Sequence, residues 1–255
     1  MEIAPLEEAS HILPARRARW GPWATLAWAA GGGLVMAASQ TIGEIIFLLW
    51  SGMVHPDRPI PLDKIASNGP LLTFALLISA PFVLGYFALA VRLAKASLVD
   101  YLALKWPRWW HIAVGIVVLG LVLFVVGVVA DASGQQIPEF MTETFSTARA
   151  AGVLPLFVFS FVVLAPLEEE LLFRGFIYRG LVPTLGPVLT IVLTSAVWAI
   201  MHYLQYSWFY VGEIFLLGVT FGWLRWLSRS LISTIVLHIA NNGLAVISMA
   251  VMSSA

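Results

Sequence analysis

The stretch Phe157-Val158-Phe159-Ser160-Phe161-Val162-Val163-Leu164-Ala165-Pro166-Leu167-Glu168-Glu169-Glu170-Leu171-Leu172-Phe173-Arg174-Gly175 sets an apolar run against three consecutive carboxylates and an arginine. A bilayer crossing needs about 20 apolar residues, and an ionisable group inside one costs at least about 2.5–3.5 kcal/mol on insertion scales. Such groups usually face a protein interior and mark function. Arg174 follows Glu170 at i+4, so the two share a helical face, with Glu N-terminal to Arg in the order that favours an ion pair. Glu169 points about 100° away and is left as the carboxylate free for other work. Taken alone, the cluster is equally compatible with an interfacial segment whose Glu and Arg side chains snorkel into water.

Outward from this stretch the chain stays apolar. Hydrophobic residues are 60% of the 255 and charged residues 11%, against roughly 45–50% apolar for a soluble domain. A water-soluble fold is therefore excluded. Apolar runs at about 20–50, 70–91, 111–130, 153–182, 187–205, 208–227 and 231–252 predict an all-α, polytopic membrane helical bundle of about seven transmembrane helices. Residues 1–19 read as a cytoplasmic N-terminal tail before a retained signal anchor, 20–150 as accessory transmembrane helices with an outer amphipathic loop, and 151–255 as a four-helix core. The first and fourth runs exceed a straight span, which predicts tilt, a kink near Gly43-Glu44 or an interfacial extension.

Net charge is zero, so nothing points to a nucleic-acid partner, and the placement of charge carries the information. With the N-terminus inside, the cytoplasmic flanks hold Arg16, Arg17, Arg19, Arg92, Lys95, Lys105, Arg108, Arg174, Arg179, Arg225 and Arg229, leaving Arg58, Lys64 and Arg149 of the 14 cations outside. This asymmetry predicts a multi-pass protein with a cytoplasmic N-terminus. Ile137, Phe140, Met141 and Phe145 are spaced for a small amphipathic helix on the outer surface. Trp20, Trp23, Trp106, Trp109 and Trp110 fall at inner interfaces and Tyr206, Trp208 and Tyr210 at an outer one, as in an aromatic belt.

Two further polar clusters lie on later helices: Trp198-Ala199-Ile200-Met201-His202 and His238-Ile239-Ala240-Asn241-Asn242. At i,i+4 spacing Trp198 lines up with His202 and His238 with Asn242. A lone histidine in a membrane helix is most often an interhelical hydrogen-bond partner, but three helices each carrying an acid–base or donor group make joint accident improbable. The set suits water-mediated peptide hydrolysis, since a carboxylate can act as general base while imidazole and carboxamide N–H groups stabilise an oxyanion. Ser160, Ser195 and Ser233 lack a G-x-S-x-G setting and a buried Asp, so a serine triad has little support. With no cysteine, a thiolate nucleophile is out of reach. Zinc held by Glu169, His202 and His238 is possible in ligand count, but no H-E-x-x-H supplies its usual scaffold.

These residues resemble a known family. Glu169-Glu170-Leu171-Leu172-Phe173-Arg174-Gly175 resembles the E-E-x-x-x-R motif of the CAAX prenyl protease and bacteriocin-processing (Abi) family of intramembrane proteases. Trp198 to His202 is similar to its F-x-x-x-H motif with Trp in place of Phe, and His238 to Asn242 to its H-x-x-x-N motif. The likeness covers roughly residues 153–245. It implies a membrane hydrolase in which Glu169 activates water, His202 helps to hold it, and His238 and Asn242 act at the oxyanion. Glu170, Arg174 and Trp198 then support the site. No cofactor is expected, with zinc as the alternative.

The leading expectation is thus an intramembrane endopeptidase acting on a membrane-associated protein or peptide. The runner-up is a catalytically idle binding, assembly or immunity partner of another membrane protein with the same fold. A transporter would also use intramembrane Glu and His, but neither inverted repeats nor paired broken helices occur. Span counting places His202 near the outer end of its helix and His238 about two turns from the inner end of its own. The two then meet near Glu169 only if the fifth helix runs past Tyr203 or tilts strongly.

Overall fold

A computed structural model describes residues 20–55, 57 and 60–253. The tail 1–19, with Arg16, Arg17 and Arg19, and also Arg58, lies outside the described residues. The described residues form helices joined by turns, without strands. Its first helix, α1 (Pro22–Val54), begins with proline at its first turn, where the missing N–H is no loss. At 33 residues it is about 50 Å long, well beyond a bilayer core of about 30 Å. Of the alternatives the length raised, the kink is not the one adopted. The helix is continuous through Gly43, which instead lies against Ala75 of α2 (Gly69–Leu93). Asn68 caps α2 through Leu71 N–H at 3.0 Å.

A short α3 (Leu98–Tyr101) leads into α4 (Trp109–Ala132). α4 packs on the later helices α9 (Trp208–Ser228) and α10 (Leu231–Met252) and leaves most of its apolar surface bare. By length and composition α1, α2, α4 and α10 are each able to cross a membrane, and the protein is an all-α helical membrane bundle.

The predicted amphipathic helix forms as α5 (Glu139–Ala150), and part of its apolar face packs against protein. Phe145 and Ala148 are buried with Phe157 and Met249 in a satellite core. Burial against protein removes the same apolar area from water as burial in lipid would, so periodicity could not distinguish the two.

From Leu154 the chain is helical to Ile200, in the order α6 (Leu154–Phe159), a π-helical segment Ser160–Leu164, α7 (Ala165–Glu170), a second π segment Leu171–Ile177 and α8 (Tyr178–Ile200). α8 is broken at Gly186, whose φ of 73° and ψ of 168° only glycine adopts without strain. The break separates the fourth and fifth expected runs. The fifth is short, because the chain leaves the helix at Ile200 and turns through Met201–Tyr206. From Pro187 it rises only about 20 Å, less than a bilayer core of about 30 Å.

Two of the cations counted as cytoplasmic flanks are interior groups. Arg174 is 1% exposed and Arg225 6%, the latter donating from Nε to the Arg174 carbonyl at 3.1 Å. Tyr206 and Tyr210 are half-buried. Both line an internal chamber, whereas Trp23, Trp106, Trp109 and Trp208 do face outward.

Candidate active site

The early end of the fifth run explains how the polar groups meet. Because that helix stops short and turns, His202 comes to line the same chamber as Glu169, His238 and Asn242, without the helix passing Tyr203. The chamber has a volume of about 530 Å³. It shares the wall Ile137, Pro138, Phe140, Gln205 and Tyr210 with a second cavity of about 470 Å³ beneath the start of α5.

Glu169 is not the free carboxylate its helical position suggested. Its Oε2 accepts a hydrogen bond from the Trp198 indole Nε1–H at 2.5 Å, and its side chain keeps 21% exposure toward the chamber. Tryptophan at this position is therefore more than a neutral exchange of one aromatic for another, since phenylalanine has no N–H to offer. Trp198 also packs edge-on against both His202 and His238, and the Arg174 guanidinium sits 4.7 Å from its ring centroid.

Glu170 does more than pair with arginine. Its Oε1 accepts from Arg174 Nη1 at 2.9 Å and from His238 Nδ1 at 3.0 Å. Arg174 Nη2 donates to the Gly218 carbonyl at 3.0 Å. This approach needs glycine at 218, because a Cβ there would lie 2.9 Å from the Ser195 Cβ. With Nδ1–H committed to Glu170, neutral His238 presents Nε2 as an acceptor, and that atom is 4.0 Å from Glu169 Oε2. Glu170 therefore sets the tautomer and rotation of His238, a link the motif spacing did not reveal.

His202 makes the complementary choice. Its Nδ1 lies 2.8 Å from the Trp198 carbonyl, which can only accept, so Nδ1 carries the proton and Nε2 is left as an acceptor. Asn242 Nδ2 donates to the Phe161 carbonyl at 2.9 Å, inside the first π segment, where the i→i+5 pattern disturbs the helical ladder. Its second N–H is free for another acceptor, and Asn241 Nδ2 donates to its Oδ1 at 3.2 Å.

Glu168, which the motif reading left without a role, is 1% exposed and accepts from Ser79 Oγ on α2 at 2.7 Å. Its legible signal was the third carboxylate of an apolar helix. Glu213 of α9 also lines the chamber and was missed, because a single Glu near a helix end reads as interfacial. Among the described residues no group of three or more His, Cys, Asp or Glu side chains is placed to hold a metal ion. The three serines considered as nucleophiles have no histidine hydrogen bond among the described residues. Ser233 bonds Ser228 and the Ser230 carbonyl, and the Ser160 and Ser195 hydroxyls are buried without a partner.

Fold and site together define a polytopic helical membrane protein with a chamber lined by carboxylate, imidazole and carboxamide side chains. Residues 151–244 match the family model of the type II CAAX prenyl endopeptidase Rce1-like proteins. Over that segment the chain is similar to this family of CAAX-type membrane proteases. No curated protein matches the chain, and no solved structure does.

Proposed function

We propose that the protein is an intramembrane endopeptidase that hydrolyses a peptide bond with water activated by Glu169. The observation that carries this reading is the convergence of Glu169, His202, His238 and Asn242 on one chamber, within the segment that matches a protease family. A water in the chamber can donate one hydrogen to Glu169 and the other to His202 Nε2, the acceptor its tautomer leaves open. Glu169 takes the proton as the water oxygen attacks the carbonyl carbon, and returns it to the leaving amine. The second N–H of Asn242 donates to the oxyanion. His238, held in place by the Glu170 carboxylate, lines the chamber beside it. No metal is required by this scheme. The substrate is a membrane-associated protein or peptide reaching the chamber from the bilayer or its surface.

The test is cleavage by the purified protein in nanodiscs. Glu169→Gln keeps the shape but cannot take a proton at neutral pH, so it is expected to abolish cleavage while the variant stays folded. A chelator that strips bound metal is expected to leave the wild-type rate unchanged, whereas a zinc enzyme would lose activity and regain it on zinc addition. Wild-type cleavage by Glu169→Gln would refute the assignment. Full biological activity of that variant without any proteolysis would favour a binding partner of the same fold.

A further inference from the structure

Glu213 differs from the three consecutive carboxylates at 168–170. Glu168 has Ser79, Glu169 has Trp198, and Glu170 has Arg174 and His238. Glu213 lines the chamber with no hydrogen bond or ion pair to any described residue. A carboxylate in a membrane-embedded chamber without a partner is costly, and the chamber contains no compensating cation, because neither Lys nor Arg is among its described lining residues. The phenols of Tyr206 and Tyr210 line the same wall and lie within electrostatic reach of Glu213. Tyr210 is three residues before it on α9, on the same face. A carboxylate flanked by aromatic rings in an otherwise apolar wall is the chemistry that recognises an organic cation, through charge and through the ring faces.

We infer that Glu213, with Tyr206 and Tyr210, forms a subsite of the chamber that binds the basic side chain of a lysine or arginine in the peptide substrate. This rests on the chamber being the substrate site proposed above. Along α9 the lining residues run Tyr210, Glu213, Ile214, Leu217, and the helical rise puts Glu213 about 6 Å from Leu217. Leu217 packs in the same core as Trp198. The cation is therefore held to one side of the reacting groups, as a specificity contact, while Glu169 stays free to act on water.

The test uses the full chain in neutral-lipid nanodiscs and two fluorescent apolar peptides, identical except that one carries a single lysine where the other carries norleucine. Wild type is expected to bind the lysine peptide about tenfold or more tightly, the scale of one charge-assisted contact. Glu213→Gln is expected to abolish that preference, and Glu169→Gln to keep it. Equal affinity of wild type for the two peptides, no binding of either, or a preference that survives Glu213→Gln would overturn the subsite. Loss of the preference in Glu169→Gln alone would place the cation at Glu169 and also overturn it. The wild-type comparison stands even if a variant fails to fold. Cleavage of the same peptides is scored separately: binding preference without cleavage counts against the protease reading and leaves the subsite standing, and cleavage without preference does the reverse.

Discussion

The hydrogen bond from Trp198 to Glu169 joins residues 29 apart in sequence and sets the rotamer of the carboxylate proposed to act as base. Trp198→Phe keeps an aromatic in the packing between His202 and His238 but removes the donor. The expected result is a folded protein whose kcat falls about tenfold, in line with loss of one hydrogen bond to a charged group, with little change in KM. Steady-state kinetics on any cleaved substrate check it, and a kcat equal to wild type would mean that the bond does not position the base. Arg174 presents the opposite case, a group whose loss is structural. Its guanidinium serves both the Glu170 carboxylate and the Gly218 carbonyl in a setting with almost no solvent. Removing one partner of a buried pair costs about 3–5 kcal/mol. Arg174→Ala is therefore expected to reduce the folded fraction and lower Tm in detergent, and an unchanged Tm would show that the ion pair contributes nothing.

α5 is held over the chamber by two kinds of contact with different sensitivities. Its apolar face is anchored by Phe145 and Ala148, and its polar face by Lys64, which pairs with Glu139 at 3.3 Å and Glu143 at 2.5 Å. Ser67 also donates to Glu143. The Lys64 and Ser67 hydrogen bonds hold the Glu143 carboxyl below its usual range. A carboxylate whose folded pKa is depressed contributes stability that is present above its unfolded value, about 4.3 for Glu, and is lost as pH falls through the folded value. The polar tie is exposed and its contribution small, so acid is expected to loosen α5 without unfolding the bundle. Hydrogen exchange at the amides of Glu139–Ala150 checks this: protection there should fall below about pH 4 while that of α9 persists. Lys64→Met should show the weakened protection already at neutral pH.

The cations that remain at the surface bear on how the bundle is oriented. With Arg174 and Arg225 withdrawn into the interior, Arg92, Lys95, Lys105, Arg108 and Arg229 gather at the α2–α4 connection and the α9–α10 turn. These two regions dock on each other, with Leu231 N–H donating to the Ala103 carbonyl at 3.0 Å and Ser230 Oγ to the Lys105 carbonyl. Lys64 and Arg149 lie with α5 at the other end. On the positive-inside rule we propose a cytoplasmic N-terminus, with the α5 end outside. Reporter fusions in the loop Lys95 to Arg108 and after Ala255 are expected on opposite sides of the membrane, and finding both on one side would refute this orientation.

Composition by itself determined that this is a helical membrane protein, because apolar residues in runs of span length have no other stable home. The i,i+4 spacing of Glu170 and Arg174 determined their ion pair, because that geometry is internal to one helix. Three contacts were decided only by tertiary structure: Trp198 on Glu169, His238 on Glu170 and Asn242 on the Phe161 carbonyl. Each depends on the depth and rotation of one helix relative to another. Span counting gave the fifth run a length it does not have, and so misjudged the depth of His202. The break at Gly186, the π segments and the turn after Ile200 fix those depths, and they arise where backbone hydrogen bonding departs from the regular 3.6-residue period that sequence patterns report.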